Sequence, residues 1–462
     1  MELTLSVSIG ESLDKLSILE IKKDKIKDTN KLIAIQHEID TNRSVLEPYI
    51  DDYLYPCLVA INTLIWDGMD ETKTKKTDLD ILCKDIFANN EARFRCKKMI
   101  NDKYNSNISE VKSYNAEEIY FVTYDFITSD LIDIYRKFLS FYFDNVIVCS
   151  PSLLVEKKIP LSKTYDLFSP LHKDLDYLYK LNKKPLIDKI VESYHLPPFN
   201  YIMSGALGDL VHTLYVIKII YLKTGIKGNL YLNIFNREFR HGVNTYIDIK
   251  NFFLSQICIN SVEIYDMSTR LQISLDIWRE SPLMYTVSWL EILNNVYKIP
   301  MINCPWLRWD CIDEKYTDTI IINRSTWRHI DNFPWVDITK QNKCVFISFS
   351  GKDYEAFPYK ENVDFIKVES FDQMATIINS CKFFIGNQSM PLALACSLHK
   401  PCLGELFDID GIFYIGLEKY NNEYSWISAT DHYFNYPSLI KGNIQLNYET
   451  QEPRIINIGV TD

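Results

Sequence analysis

The sequence predicts an α/β protein: two halves of alternating strand and helix with parallel sheets, facing a cleft and preceded by a helical N-terminal region. Three observations predict it. From residue 199 onward, short apolar runs alternate with stretches of helical character, as parallel sheets with crossover helices require. Residues 1–115 instead carry apolar side chains at helical spacing among many lysines and aspartates. The 14 glycines divide the same way, since Gly10 and Gly68 are the only two before residue 205 and the other twelve follow. A chain with about 3% glycine, against a usual ~7%, is expected to place each one where a side chain is hard to accommodate.

Length and charge narrow the classes. At roughly 150 residues per domain, 462 residues suggest about three domains. A net charge of -11 argues against a general nucleic-acid binder, which needs a basic footprint. No apolar run approaches the length of a transmembrane helix, and Met1-Glu2-Leu3-Thr4 lacks the basic start of a signal peptide. Eleven cysteines without a CxxC pair point to reduced thiols and a cytoplasmic location. The eight histidines are scattered, so no metal site is expected.

Taken in order, Ser8-Ile9-Gly10-Glu11 fits a capping box. Leu13, Leu16, Leu19, Ile26 and Ile35 follow at helical spacing. A second helix is expected from Pro56 to Trp66 and a third over Leu79–Ile100, giving a helical hairpin or small bundle over 1–115. Segment 116–198 predicts a small βαβ-like piece: a strand over Glu118–Tyr124, a helix over Asp130–Phe143 and a strand over Asn145–Cys149. A polar, lysine-rich connector at 156–195 ends it. Two Rossmann-like halves follow at 199–315 and 316–430, with a tail at 431–462. Their expected strands are Asn200–Met203, Leu230–Ile234, Thr319–Ile322, Lys343–Ser348 and Lys382–Ile385, and Asp209–Leu222 is an expected helix.

Four segments carry chemistry. Ser204-Gly205-Ala206-Leu207-Gly208-Asp209-Leu210-Val211-His212-Thr213 runs from a strand into a helix. Its glycines permit a tight turn and its helix start offers free N–H groups. Asp209 in that first turn is either a functional carboxylate or a simple helix stabiliser. Phe384 to Ala395 repeats the arrangement. There Gly386, Asn387, Gln388 and Ser389 form an anion site or a well-capped structural helix, with Ser389 as N-cap and Pro391 in the first turn. Asn323-Arg324-Ser325-Thr326-Trp327-Arg328-His329 and Ser350-Gly351-Lys352 each follow a strand. Hydroxyls and cations there suit phosphate recognition.

With these residues the chain resembles the heptosyltransferase family of lipopolysaccharide synthesis, inverting glycosyltransferases of GT-B fold. Gly208-Asp209-Leu210-Val211-His212-Thr213 is similar to its N-terminal signature. Arg324-Ser325-Thr326 with Arg328 looks like its donor loop, and Gly386-Asn387-Gln388-Ser389 with Ala393 and Pro401 like its C-terminal donor motif, over roughly 199–410. The family usually carries Asp-Ser/Thr-Gly and then a histidine in that last motif; Gln388, Ser389, Met390 and Ala393 stand in those places here. The N-terminal region resembles an uncharacterised helical domain of bacterial polysaccharide gene neighbourhoods, through Ser8–Glu11, Asp14–Glu20, Ile61-Asn62 with Trp66, Asn90-Glu91 with Arg93, and Glu110–Tyr114.

The resemblance implies a metal-independent inverting transferase that moves a sugar from a nucleotide-sugar donor to a glycan acceptor hydroxyl. It needs no cofactor. Asp209 takes the place of the catalytic base. Gly205, Gly208, His212, Asp276 and Arg279 fall on the acceptor side, with Asp276 and Arg279 equally open to structural roles and His212 read first as a packed helix residue. Arg324, Ser325, Thr326, Arg328, Gly351, Lys352, Gly386, Asn387, Gln388 and Ser389 fall on the donor side. A catalytically silent GT-B-like binding or scaffold protein in glycan assembly is the alternative, and a nucleotide-sugar epimerase of similar shape a third. Association with further copies of the chain stays open.

Overall fold

The computed structural model describes residues 6–74, 78–108, 117–123, 129–166, 175, 177–178, 181, 183–195, 197–235, 242–302, 305–330, 333–407, 424–428 and 433–434. The Glu110–Tyr114 motif, Tyr124, part of the 156–195 connector and, apart from Tyr433 and Phe434, the expected tail lie outside them. The chain forms two compact units, one of Met1–Pro197 with Leu222–Gly225 and one of Pro198–Tyr221 with Ile226–Asp462.

The first unit opens with α1 (Ile9–Lys25), α2 (Thr29–Leu46), α3 (Leu54–Thr74) and α4 (Leu79–Lys103). Ser8 caps α1 by accepting the Glu11 N–H at 3.1 Å. The reciprocal half of the expected box is not made, because the Glu11 carboxylate reaches Lys97 at 2.6 Å instead. The apolar series is split: Ile26 turns to extended backbone and Asp28 starts α2. Asp14, 1% exposed, accepts from Arg93 of α4 at 2.8 Å and from Asn62 of α3 at 2.8 Å, and Asn62 also donates to Ser17 at 2.7 Å. Four residues of the N-terminal motif, Asp14, Ser17, Asn62 and Arg93, thus form a buried polar knot that ties three helices together, since a buried carboxylate persists only when paired and hydrogen-bonded. Gly10 lets α4 come close, because a Cβ there would lie 2.6 Å from the Lys97 carbonyl oxygen.

Next come β1 (Glu118–Val122), α5 (Ser129–Ser140), β2 (Asn145–Cys149), α6 (Pro151–Glu156), β3 (Thr164–Asp166) and α7 (Lys184–Glu192). The strands form a parallel sheet in the order β2-β1-β3. The expected βαβ piece is present. The stretch read as a connector, however, contributes β3 and also α7, which buries Leu186, Ile187, Ile190 and Val191.

The second unit contains two sheets. The first joins β4 (Phe199–Met203), β5 (Gly228–Leu232), β6 (Ile259–Ile264) and β7 (Ile273–Ser274) in the order β6-β5-β4-β7, all parallel. Its helices are α8 (Leu207–Thr224), α9 (Gly242–Leu254) and α10 (Trp289–Tyr297). The second sheet joins β8 (Ile320–Asn323), β9 (Cys344–Ser348), β10 (Asp364–Lys367), β11 (Phe383–Asn387), β12 (Cys402–Leu406), β13 (Tyr424–Ser428) and β14 (Tyr433–Phe434), in the order β10-β9-β8-β11-β12-β13-β14. Only β14 is antiparallel. Its helices are α11 (Trp335–Gln341), α12 (Gly351–Glu355), α13 (Phe371–Ser380) and α14 (Met390–Ser397). Every residue of β8, β9, β11 and β12 is buried, as parallel strands covered on both faces must be. Ile322, Ile338, Phe346 and Ile385, all at 0% exposure, lie in the core on one side of this sheet. The α/β class and the helical N-terminal region predicted from sequence are both present. Among the described residues no helix is long and apolar enough to cross a membrane.

Candidate functional site

In the second unit the loops after β4, β8, β9 and β11 leave the carboxyl ends of parallel strands, where open α/β sheets bind ligands. They enclose a cavity of about 730 Å³ lined from both sheets.

On the first sheet's side, Gly208 and Asp209 in the first turn of α8 line the cavity together with Arg279. Arg279 Nη2 donates to Asp209 Oδ2 at 2.5 Å, and Arg279 Nε lies 3.7 Å from Asp276 Oδ1. Asp276 sits behind this pair. Its Oδ2 accepts from the Ser204 N–H at 2.9 Å and the Ser204 hydroxyl at 2.5 Å. Burial raises the Asp276 carboxyl above the usual carboxylate range, against the opposing pull of Ser204 and Arg279. Gly205 is set back from the cavity; a Cβ there would run into the Arg279 guanidinium and come within 2.5 Å of Met203 Cε. His212 is not on the cavity wall either. Its ring is 1% exposed and stacks on Trp289 with centroids 4.6 Å apart at 15°; burial pushes its pKa down to about 3. Of the residues assigned from sequence to the acceptor side, Gly205, His212 and Asp276 therefore support the wall, while Gly208 and Arg279 form it.

On the second sheet's side, Ser325, Arg328, Gln388 and Ser389 line the cavity. Arg324 does not. Its guanidinium turns inward to Glu405 of β12 through two hydrogen bonds of 2.7 and 2.8 Å, with side chains 8% and 0% exposed. The sequence assigned Arg324 to the ligand because residue type does not reveal direction; the structure makes it the anchor of its loop. Asn387, at 0% exposure, is a second anchor. Its Oδ1 accepts the Ser325 N–H at 3.0 Å and its amide donates to the Trp327 carbonyl at 2.6 Å. So held, Arg328 adopts a left-handed φ of 61°, which is uncommon for a residue with a side chain, and donates to the Gln388 carbonyl at 3.2 Å.

Ser389 takes the N-cap position of α14, but its side chain makes no cap hydrogen bond; it donates to the Asn387 carbonyl at 3.2 Å. The first-turn N–H groups of α14 thus carry no side-chain cap. Gln388 Oε1 accepts the Phe407 N–H at 2.6 Å, and its buried side-chain nitrogen has no hydrogen-bond partner. Thr326, Gly351, Lys352 and Gly386 fall outside the lining. Lys352 is exposed, with its N–H donated to Ser350. A Cβ at Gly351 would meet nothing within 4 Å, so the expectation that every glycine is sterically required fails there.

No family model matches the chain, and no curated protein matches it. Solved structures do. The E. coli heptosyltransferase WaaC with ADP-2-deoxy-2-fluoro heptose is similar at 10% identity and a TM-score of 0.30, over 45% of this chain and 88% of that one. A glycosyl transferase family 9 protein from Veillonella parvula is similar at 11% identity and a TM-score of 0.31, over 54% and 90%. The UDP-GlcNAc 2-epimerase of Methanocaldococcus jannaschii is similar at 12% and 0.21, over 70% and 90%.

Sequence reasoning left the aromatic lining unassigned. Trp278, Tyr285 and Trp289 stand on one side of the cavity, Trp327 and Phe349 on the other. Trp327 is 55% and Phe349 40% exposed, so both offer apolar surface to whatever enters the cavity. Their position next to strand ends and beside Arg279 and Arg328 was the available signal. Asp248 and Asp353 also line the cavity. The Asp248 carboxylate accepts the Phe371 N–H, and Asp353 accepts from the Ser348 hydroxyl at 2.7 Å. Among the described residues no group of three or more His, Cys, Asp or Glu side chains is placed to hold a metal ion. The cavity thus sets Asp209 and Asp248 on one wall against Arg328, hydroxyls, a helix start and the Ser348-bound Asp353 on the other, with aromatic side chains on both.

Proposed function

We propose that the second unit is an inverting, metal-independent glycosyltransferase that uses a nucleotide-sugar donor and a glycan acceptor in the cytoplasm. One observation carries the reading: a single cavity joins Asp209 to an opposing anion wall of Arg328, Ser325 and the uncapped start of α14. Its volume of about 730 Å³ falls within the range of small-molecule sites, roughly 300–1,000 Å³.

In this mechanism the donor diphosphate lies against α14, where the helix dipole and Arg328 offset its charge. Asp209 takes the proton of the acceptor hydroxyl as that oxygen attacks the anomeric carbon. The new C–O bond forms on the face opposite the leaving group. The bond from the anomeric carbon to the phosphate oxygen breaks, and the nucleoside diphosphate departs with the electron pair, stabilised by the preset donors of the wall.

The test is a calorimetric screen against nucleotide sugars, followed by transfer assays with Asp209→Asn. The expected result is donor binding within about twofold of wild type and turnover reduced by roughly 10²–10⁴. Undiminished turnover overturns the role of Asp209. The second reading, a binding protein without turnover, draws on Gln388, Met390 and Ala393 in place of the family's usual residues; failure to bind any nucleotide sugar would favour it.

A further inference from the structure

We propose that Arg279 is a positioning residue for Asp209 and not a contact to the acceptor. Given Asp209 as the base, it fixes which oxygen does the work. Oδ2 is taken by Arg279 Nη2 at 2.5 Å. Among the described residues Oδ1 has no protein donor, and Asp209 lines the cavity. The carboxylate is held at one corner and offers the other to an incoming hydroxyl.

The guanidinium is itself held from three directions. Asp276 faces its Nε at 3.7 Å and is locked by the N–H and hydroxyl of Ser204. The guanidinium carbon of Arg279 lies over the Trp278 ring, 4.4 Å from its centroid. Trp278 meets Trp289 edge-on at 4.5 Å, and Trp289 stacks on the buried His212. A planar cation packed on an indole and forked toward two carboxylates is pre-organised, as a lysine ammonium would not be. Gly205 completes the arrangement by leaving the guanidinium its space. Nη2 and Nε of Arg279 already face carboxylates, so an acceptor group that took either nitrogen would have to displace Asp209 or Asp276.

The test uses the full chain and the variants Arg279→Gln, Arg279→Lys and Gly205→Ala, the last displacing the guanidinium without removing it. In transfer assays with the donor found by screening, Arg279→Gln is expected to lower kcat by roughly ten- to hundredfold while acceptor KM stays within about twofold. Arg279→Lys should recover part of kcat, and Gly205→Ala should behave like Arg279→Gln. A raised KM at unchanged kcat would make Arg279 an acceptor contact and overturn the proposal.

A substrate-free measurement separates this from the function itself. Carbodiimide–amine labelling of Asp209, followed by mass spectrometry with Asp353 as internal reference, should rise several-fold in Arg279→Gln and Gly205→Ala and stay near wild type in Arg279→Lys. Unchanged labelling in both of the first two variants overturns the clamp. Absence of turnover with every nucleotide sugar overturns the transferase reading while the labelling still reports on the clamp.

Discussion

Lowering the pH from 7 to 5 is expected to destabilise the protein measurably through one ring, His212. The imidazole is fully enclosed between α8 and Trp289, and burial moves its pKa from 6.5 to about 3. The folded state therefore stays neutral at a pH where the unfolded chain has already taken up the proton. Protons bound only by the unfolded state favour unfolding as pH falls. The penalty is absent above about pH 6.5, grows through the window below it and is complete near pH 3. At pH 5 the unfolded chain has gained about 1.5 pH units of binding, which at ~1.4 kcal/mol per unit is about 2 kcal/mol.

The assay is urea unfolding at pH 7, 6 and 5 for the wild type and for His212→Phe, which keeps an aromatic ring against Trp289 without a titrating group. The stability difference between the two proteins should shift by about 2 kcal/mol toward the variant between pH 7 and 5. Comparing variant with wild type cancels the contributions of His399, also depressed by burial to about 4, and of Asp85 and Asp276, whose carboxyls burial raises. Parallel pH profiles would mean that His212 titrates alike in both states and would refute the reasoning.

Two further outcomes concern the loop after β8. Arg324→Ala strands the fully buried Glu405 and should cost about 3–5 kcal/mol, read as a lower urea midpoint with unchanged slope; a loss below about 1 kcal/mol would show that Glu405 finds another partner or leaves the core. Asn387→Ala frees Ser325 and Trp327 from their anchor, so donor affinity measured by calorimetry should fall about tenfold or more, alongside roughly 1–3 kcal/mol of stability. Unchanged affinity would separate the loop's geometry from ligand binding.

What the sequence revealed and what it hid divide along physical lines. The helical character of the N-terminal region and strands β4, β8, β9 and β11 were legible because long apolar periodicity and runs such as Ile320-Ile321-Ile322 have few other uses, whereas the break that separates α2 from α1 was not. β3, three residues long, exists by pairing with β1, and no local pattern announces it. The Glu11–Lys97 pair that undoes half of the capping box and the Arg324–Glu405 pair that turns a motif arginine inward both involve residues about 80 or more positions apart. Sequence spacing names the residue types that gather at strand ends but not their directions. Trp278 and Trp289 went unassigned because nothing in an aromatic residue's type tells which face it presents; here both are buried and also line the cavity.

Asn387 has a consequence beyond its hydrogen bonds. It is the last residue of a strand wedged between β8 and β12, and the loop it grips begins at the end of β8. The distance between Ser325 and the start of α14 is therefore set by interstrand register, as a caliper's jaws are set by its beam. A substitution deep in β11 or β12, far from any ligand atom, can open or narrow that gap. Selection on affinity at this wall would act on the interior of the sheet as much as on the residues that touch the ligand.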